Sequence, residues 1–165
     1  MIRKARFAAC LVVLFLLQTT VAHRFSLRFV RVDLLFAFGA YVALTAEHRP
    51  ALLAAIALGL ARDFGSAGGL GASALVMVGA TAAVVPLREG LVRESPWVDI
   101  GLMLLFVAAC SAGDALLNGL VAGASAGWLL RLAAGQAAFT AAVTPLLSAA
   151  LSALGVVAEG ERLGA

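Results

Sequence analysis

Apolar residues gather in six long runs, and short segments between them hold most of the charge. The runs cover residues 7–22, 32–46, 50–64, 70–87, 97–117 and 132–158. A helix crossing a bilayer needs about 20 apolar residues, within a range of about 17–25. The second and third runs are short by that measure. They are expected to start before their charges suggest, or to tilt and thin the bilayer locally. The last run is long and holds Pro145, which is expected to kink it or to set a break near residue 141. The pattern predicts an all-α integral membrane protein, a compact six-helix transmembrane bundle with five helices as the rival count. Residues 1–165 then form a single transmembrane domain.

Composition agrees with the pattern. Of the 165 residues 63% are hydrophobic and 13% charged, with a mean hydropathy of +1.05. Soluble domains carry roughly 25% charged residues, so this chain has too little polar surface to cover a water-soluble globule. The net charge of +3 is spread between apolar runs and forms no stripe, which excludes a nucleic-acid footprint. Cys10 and Cys110 lie inside apolar runs and read as small apolar fillers. His23 and His48 stand at run ends beside Arg24 and Arg49, where they read as interfacial groups with no metal-ligand spacing around them. No cofactor is expected.

The first 22 residues pair a basic start, "MIRKAR", with an apolar run and a "TVA" step, as a signal peptide would. Because the rest of the chain is itself multi-span, a retained anchor is favoured over a cleaved leader. With the N-terminus inside, Arg3, Lys4, Arg6, Arg49, Arg88, Arg93 and Arg162 face the cytoplasm, against Arg24, Arg28, Arg31, Arg62 and Arg131 outside. This bias places both termini in the cytoplasm. Arg24, Arg28 and Arg31 recur at helical spacing, which fits an interfacial half-helix from Arg24 to Asp33 or a solvated loop whose arginines reach phosphates. Small residues four apart, at Gly79 and Ala83 and at Gly119, Gly123 and Gly127, suit close helix packing within the chain, or a homodimer face.

Chemical motifs are sparse. The glycine-rich "GSAGGLG" has no Lys after Gly71 to reach a phosphate, so it is no P-loop. "GASAG", residues 123–127, matches a serine-nucleophile motif but lacks a base and a preceding strand. Asp114 with Asp63 or Asp99 could form an intramembrane aspartyl peptidase dyad. Each aspartate also has a structural use. Asp33, at the start of its run, suits a helix N-terminus; Asp63 can pair with Arg62 or Arg31 or cap a helix; Asp99 sits near an interface beside Trp97. Asp114 is the most buried by position, and is a candidate for a helix–helix contact or a pathway residue.

Three stretches together resemble the MreD family, the multi-span component of the bacterial rod-shape and cell-elongation machinery. "RVDLLFAFGAYVAL", from Arg31 through Asp33 and Tyr41, resembles the family's Arg-Pro-Asp, leucine-rich segment, with Val32 in place of Pro. His48–Arg49 falls at its short His-Arg link. Asp63, Ser66, Leu70, Gly71, Ala74 and Leu75 match an ungapped Asp, Ser-Gly, Leu-Gly, Ala-Leu series, departing from it at Ala67 and at Arg62, where the family has an apolar residue. Pro145 resembles a late family Pro, and Thr140 stands where some members carry Asn. The resemblance implies a non-enzymatic scaffold in the bacterial plasma membrane. Its implied partners are MreC, the elongation transpeptidase, the RodA glycosyltransferase and, indirectly, MreB, with lipid around it. The Arg24–Asp33 segment and the turn from Asp63 to Gly71 are the expected binding surface, with Asp63 holding free backbone N–H groups of that turn. A substrate-binding subunit of a vitamin-uptake transporter, similar in size and helix number, is the alternative, with Asp114 and the glycine-rich turn as its pocket.

Overall fold

A computed structural model describes residues 4–22, 33–65, 71–91, 96–122 and 126–154. These residues form six α-helices and no strand. Helix α1, Lys4–Leu17, runs on into a π-helical turn, Gln18–Ala22; then come α2, Leu34–Thr45, α3, His48–Phe64, and α4, Ala72–Gly90. Helix α5, Pro96–Ala122, and α6, Ala126–Ala153, complete the bundle. The six runs read from the sequence each become one helix, with ends displaced by a few residues. Among the described residues, Ala72–Gly90, Trp97–Leu117 and Ala133–Ala153 are long and apolar enough to cross a membrane.

Helix α2 is the centre. It packs against each of the other five helices, and every residue from Leu35 to Leu44 is buried. At 1.5 Å per residue its 12 residues reach only about 18 Å. Its shortness therefore calls for no local thinning of the bilayer: a helix apolar all round belongs inside protein, and both of its ends lie inside the bundle. Phe7 of α1 stacks on Phe38 with ring centroids 5.3 Å apart, and Leu14 joins the same core. The first helix is thus an integral layer of the bundle.

Lipid tails are as apolar as leucine, so helices in a membrane associate through close packing and polar bonds. Helix α3 shows the packing half of this rule. Ala51, Ala55 and Gly59 recur every four residues and are buried, while Leu53, Ile56, Leu60 and Phe64 look outward. A methyl group added at Gly59 would run into the backbone of Ala74 on α4. A Cβ at Gly39 of α2 would meet the side chains of Met77 and Phe106, and one at Gly113 of α5 the side chain of Val76. Gly79 and Ala83, expected to pack internally, instead lie on an exposed face of α4, with open space where a Cβ at Gly79 would stand. In the other small-residue series Gly123 lies outside the described residues, and Gly127 is likewise exposed.

Pro145 does not break the last helix. It sits exposed inside α6, which continues through it to Ala153. The proline removes one backbone hydrogen bond and crowds the carbonyl four residues back in its own helix, and the helix nevertheless runs on past it.

Candidate functional site

The polar half of the rule is concentrated at one end of α2. Asp33 is its N-cap, with an extended backbone, and its Oδ1 accepts the Phe36 N–H at 3.2 Å. The π-helical turn after α1 brings Gln18 to the same place: its Nε2 donates to Asp33 Oδ1 at 3.1 Å, and its Oε1 accepts the Leu35 N–H at 3.1 Å. Helix N-termini leave backbone N–H groups without internal partners, and here a side chain from another helix takes one of them. From α6, Thr140 Oγ1 accepts the Asp33 N–H at 3.1 Å.

Arg62, near the end of α3, ties the cluster together. Its Nε donates to Asp33 Oδ2 at 2.6 Å. Its two terminal nitrogens donate to the two oxygens of Asp114 on α5, each at 2.8 Å, in the bidentate fork that guanidinium and carboxylate share. One of these nitrogens also donates to Ser73 Oγ at the start of α4. The guanidinium carbon lies 4.4 Å from the centre of the Phe36 ring, a cation–π distance. Only 12% of the Arg62 side chain is exposed, against 4% for Asp33 and 13% for Asp114. Each of the six helical segments thus supplies one polar group: Gln18, Asp33, Arg62, Ser73, Asp114 and Thr140.

Beside this knot Asp63 serves α4. Its Oδ2 accepts the Gly71 N–H at 2.7 Å and its Oδ1 the Ser73 N–H at 3.1 Å. Gly71 is the N-cap, at φ +94°, a left-handed conformation that glycine adopts without strain. The expected role of Asp63 in holding backbone N–H groups of the turn holds for its described part. Asp63 caps a helix, as expected of one of its uses; Arg62 goes to Asp33 and Asp114, and Arg31 lies outside the described residues.

Among the described residues one cation stands with three carboxylates here. Two of them, Asp33 and Asp63, sit at helix N-termini, where the partial positive charge of the aligned peptide dipoles favours an anion. Arg62 then serves chiefly to neutralise Asp114, which caps no helix, and to link it to Asp33. A charge at membrane depth is tolerated when it is paired and faces the bundle interior; this arrangement satisfies both conditions. Ser111, three residues before Asp114, is fully buried, and its Oγ has no hydrogen-bond partner among the described residues.

Several residues singled out in the sequence take other places. Arg24, Arg28, Arg31, Ser66 and Leu70 lie outside the described residues. Asp33 and Asp63, each 3% exposed, hold the bundle from within and offer no surface to a partner. Tyr41 is buried in the core; Arg49 is exposed at the start of α3. Arg62, by sequence an outward cation and a departure from the family pattern, is the hub. Gln18, Ser73 and Arg62 carry no local signal, because their partners lie 11 to 52 residues away in sequence. The small-residue stripe Ala51–Ala55–Gly59, which leads straight to Asp63, is a signal carried by spacing alone.

The aspartyl peptidase geometry is not formed by this pair of carboxylates. Asp63 is taken up by the α4 N-terminus and Asp114 by Arg62, where a dyad would need the two to share a proton. No group of three or more His, Cys, Asp or Glu able to hold a metal ion occurs among the described residues.

Comparison with curated proteins and with solved structures gives no match. The model of the rod shape-determining protein MreD matches residues 1–126, which include α1 to α5 and five of the six groups of the knot. The chain belongs to the MreD family of rod shape-determining membrane proteins.

Proposed function

We propose that this protein is a non-catalytic scaffold of the bacterial cell-elongation complex in the plasma membrane, with both termini in the cytoplasm, binding MreC and through it helping to position peptidoglycan synthases. The observation that carries this reading is the knot at Arg62, set within a chain of the MreD family. A scaffold has to present its outer faces in a constant arrangement. Polar groups from all six helical segments, drawn to one guanidinium and its carboxylates, favour one relative placement of the helices over sliding alternatives. Outside the knot the exposed residues of α1 and α3 are largely apolar, among them Val12, Val13, Leu16, Leu53, Ile56 and Leu60. Such faces suit lipid or the single span of a partner.

The test is a detergent pull-down of the tagged full chain from its native cells, with the co-purifying proteins identified. Recovery of MreC together with the elongation transpeptidase or RodA is the expected result. Leucine substitutions at Ala8 and Ala9 on the exposed face of α1, or at Ala57 and Ala61 on α3, should then reduce MreC recovery on at least one of the two faces. Recovery of an ATPase pair without MreC would overturn the scaffold reading in favour of a transporter subunit.

A further inference from the structure

At the opposite end of α2 the bundle holds a cavity of about 160 Å³ between α2, α5 and α6. Its polar lining is Tyr41, Thr45, Asp99, Ser148 and Ser152, with Met103 and Leu44 among the apolar walls. The size is comparable to the roughly 150 Å³ cavity that admits a benzene-sized molecule. Three of the four hydroxyl protons are already committed. Thr45 donates to the Tyr41 carbonyl at 2.6 Å, Ser148 to the Pro145 carbonyl at 2.8 Å and Ser152 to the Ala149 carbonyl at 2.8 Å. Each of these hydroxyls keeps acceptor lone pairs and has no proton left to give. Asp99 adds a carboxylate that makes no hydrogen bond or ion pair with the described residues. The lining from α5 and α6 is therefore a set of acceptors around one negative charge.

A ligand matching that set must carry a positive charge and several N–H donors. We propose that the cavity binds a primary ammonium group, presented by an ethanolamine phospholipid of the surrounding leaflet or by a free small amine. Position favours the lipid. Trp97, two residues before Asp99, is 76% exposed, as expected of a tryptophan at the headgroup level. Leu146 on α6 is 74% exposed and gives the acyl chains an apolar wall beside the cavity. At the same end of the bundle, Arg6 donates to the Leu154 carbonyl at 3.0 Å, which sets a guanidinium near the headgroup phosphate. The proposal is independent of the scaffold reading, since any membrane protein with this cavity could hold such a headgroup.

The experiment measures lipid retention by native mass spectrometry on the full chain in detergent, titrated separately with phosphatidylethanolamine, phosphatidylcholine and phosphatidylglycerol. Phosphatidylethanolamine should be retained about tenfold or more over phosphatidylcholine, whose ammonium has no N–H to give. Asp99→Asn should abolish most of that preference. If Asp99→Asn does not fold, the double change Ser148→Ala with Ser152→Ala removes acceptors without touching the charge, and it should lower the preference severalfold. Equal retention of phosphatidylcholine, or a preference unaltered in the variants, overturns the proposal. Displacement of the lipid by free ethanolamine assigns the ammonium site to soluble amines; persistence of the lipid assigns it to the headgroup.

Discussion

The two ends of α2 solve one problem in different ways. A 12-residue helix buried on every side has unpaired N–H groups at one end and unpaired C=O groups at the other, and lipid offers them nothing. At the N-terminal end the answer is a closed ionic knot, with Arg62 forked between two carboxylates and almost no exposure. At the C-terminal end, among the described residues, it is one cation. Arg88 of α4 donates to the Ala43 and Ala46 carbonyls at 3.1 and 2.8 Å, beside a cavity that remains open. The difference separates a fixed end from an accessible one. The proposed binding of a headgroup uses the accessible end, and the proposed registration of the helices uses the fixed end.

The most damaging way to break this contrast is Arg62→Met. It takes the fork from Asp114 and one charged hydrogen bond from Asp33, and breaking a buried pair in this way costs about 3–5 kcal/mol; unfolding in graded sodium dodecyl sulfate should show a loss of that order. Arg62→Lys keeps the charge and forfeits the fork, and should fall between the variant and the parent. A smaller effect is expected from Gly59→Leu. The obstacle there is the backbone of Ala74, which cannot swing aside as a side chain would, so overpacking should cost about 1–3 kcal/mol in the same assay. The smallest loss is expected at the other end. Arg88→Met removes two hydrogen bonds to helix C-terminal carbonyls at a half-buried site, worth about 1–2 kcal/mol by unfolding. A loss at Arg88 equal to that at Arg62 would erase the distinction between the ends.

Much of the bundle could be read in advance, because apolar runs report helices directly. Asp33 before its run announced an N-cap, and Asp63 before the glycines announced a cap across a turn. What stayed hidden were pairings with no local signature. Arg62 looked like a misplaced surface cation because its meaning depends on Asp33 and Asp114, which lie 29 and 52 residues away. By length alone the second run suggests an earlier start or a mismatch with the bilayer, although a run apolar on every face is itself the mark of a helix enclosed by others. Pro145 was weighed by its local chemistry alone. On an outer face of a helix anchored at Thr140 it leaves the chain continuous.

The most direct measurement is a double-mutant cycle between Arg62→Met and Asp114→Asn, read as unfolding free energy in sodium dodecyl sulfate. If Arg62 exists in the core to neutralise Asp114, the double variant should lose no more stability than Arg62→Met alone, since no charge is then stranded on α5. The coupling should be on the order of 1–3 kcal/mol. Simple addition of the two single losses would show that the pair is not the lock, and the knot would lose its place at the centre of this fold.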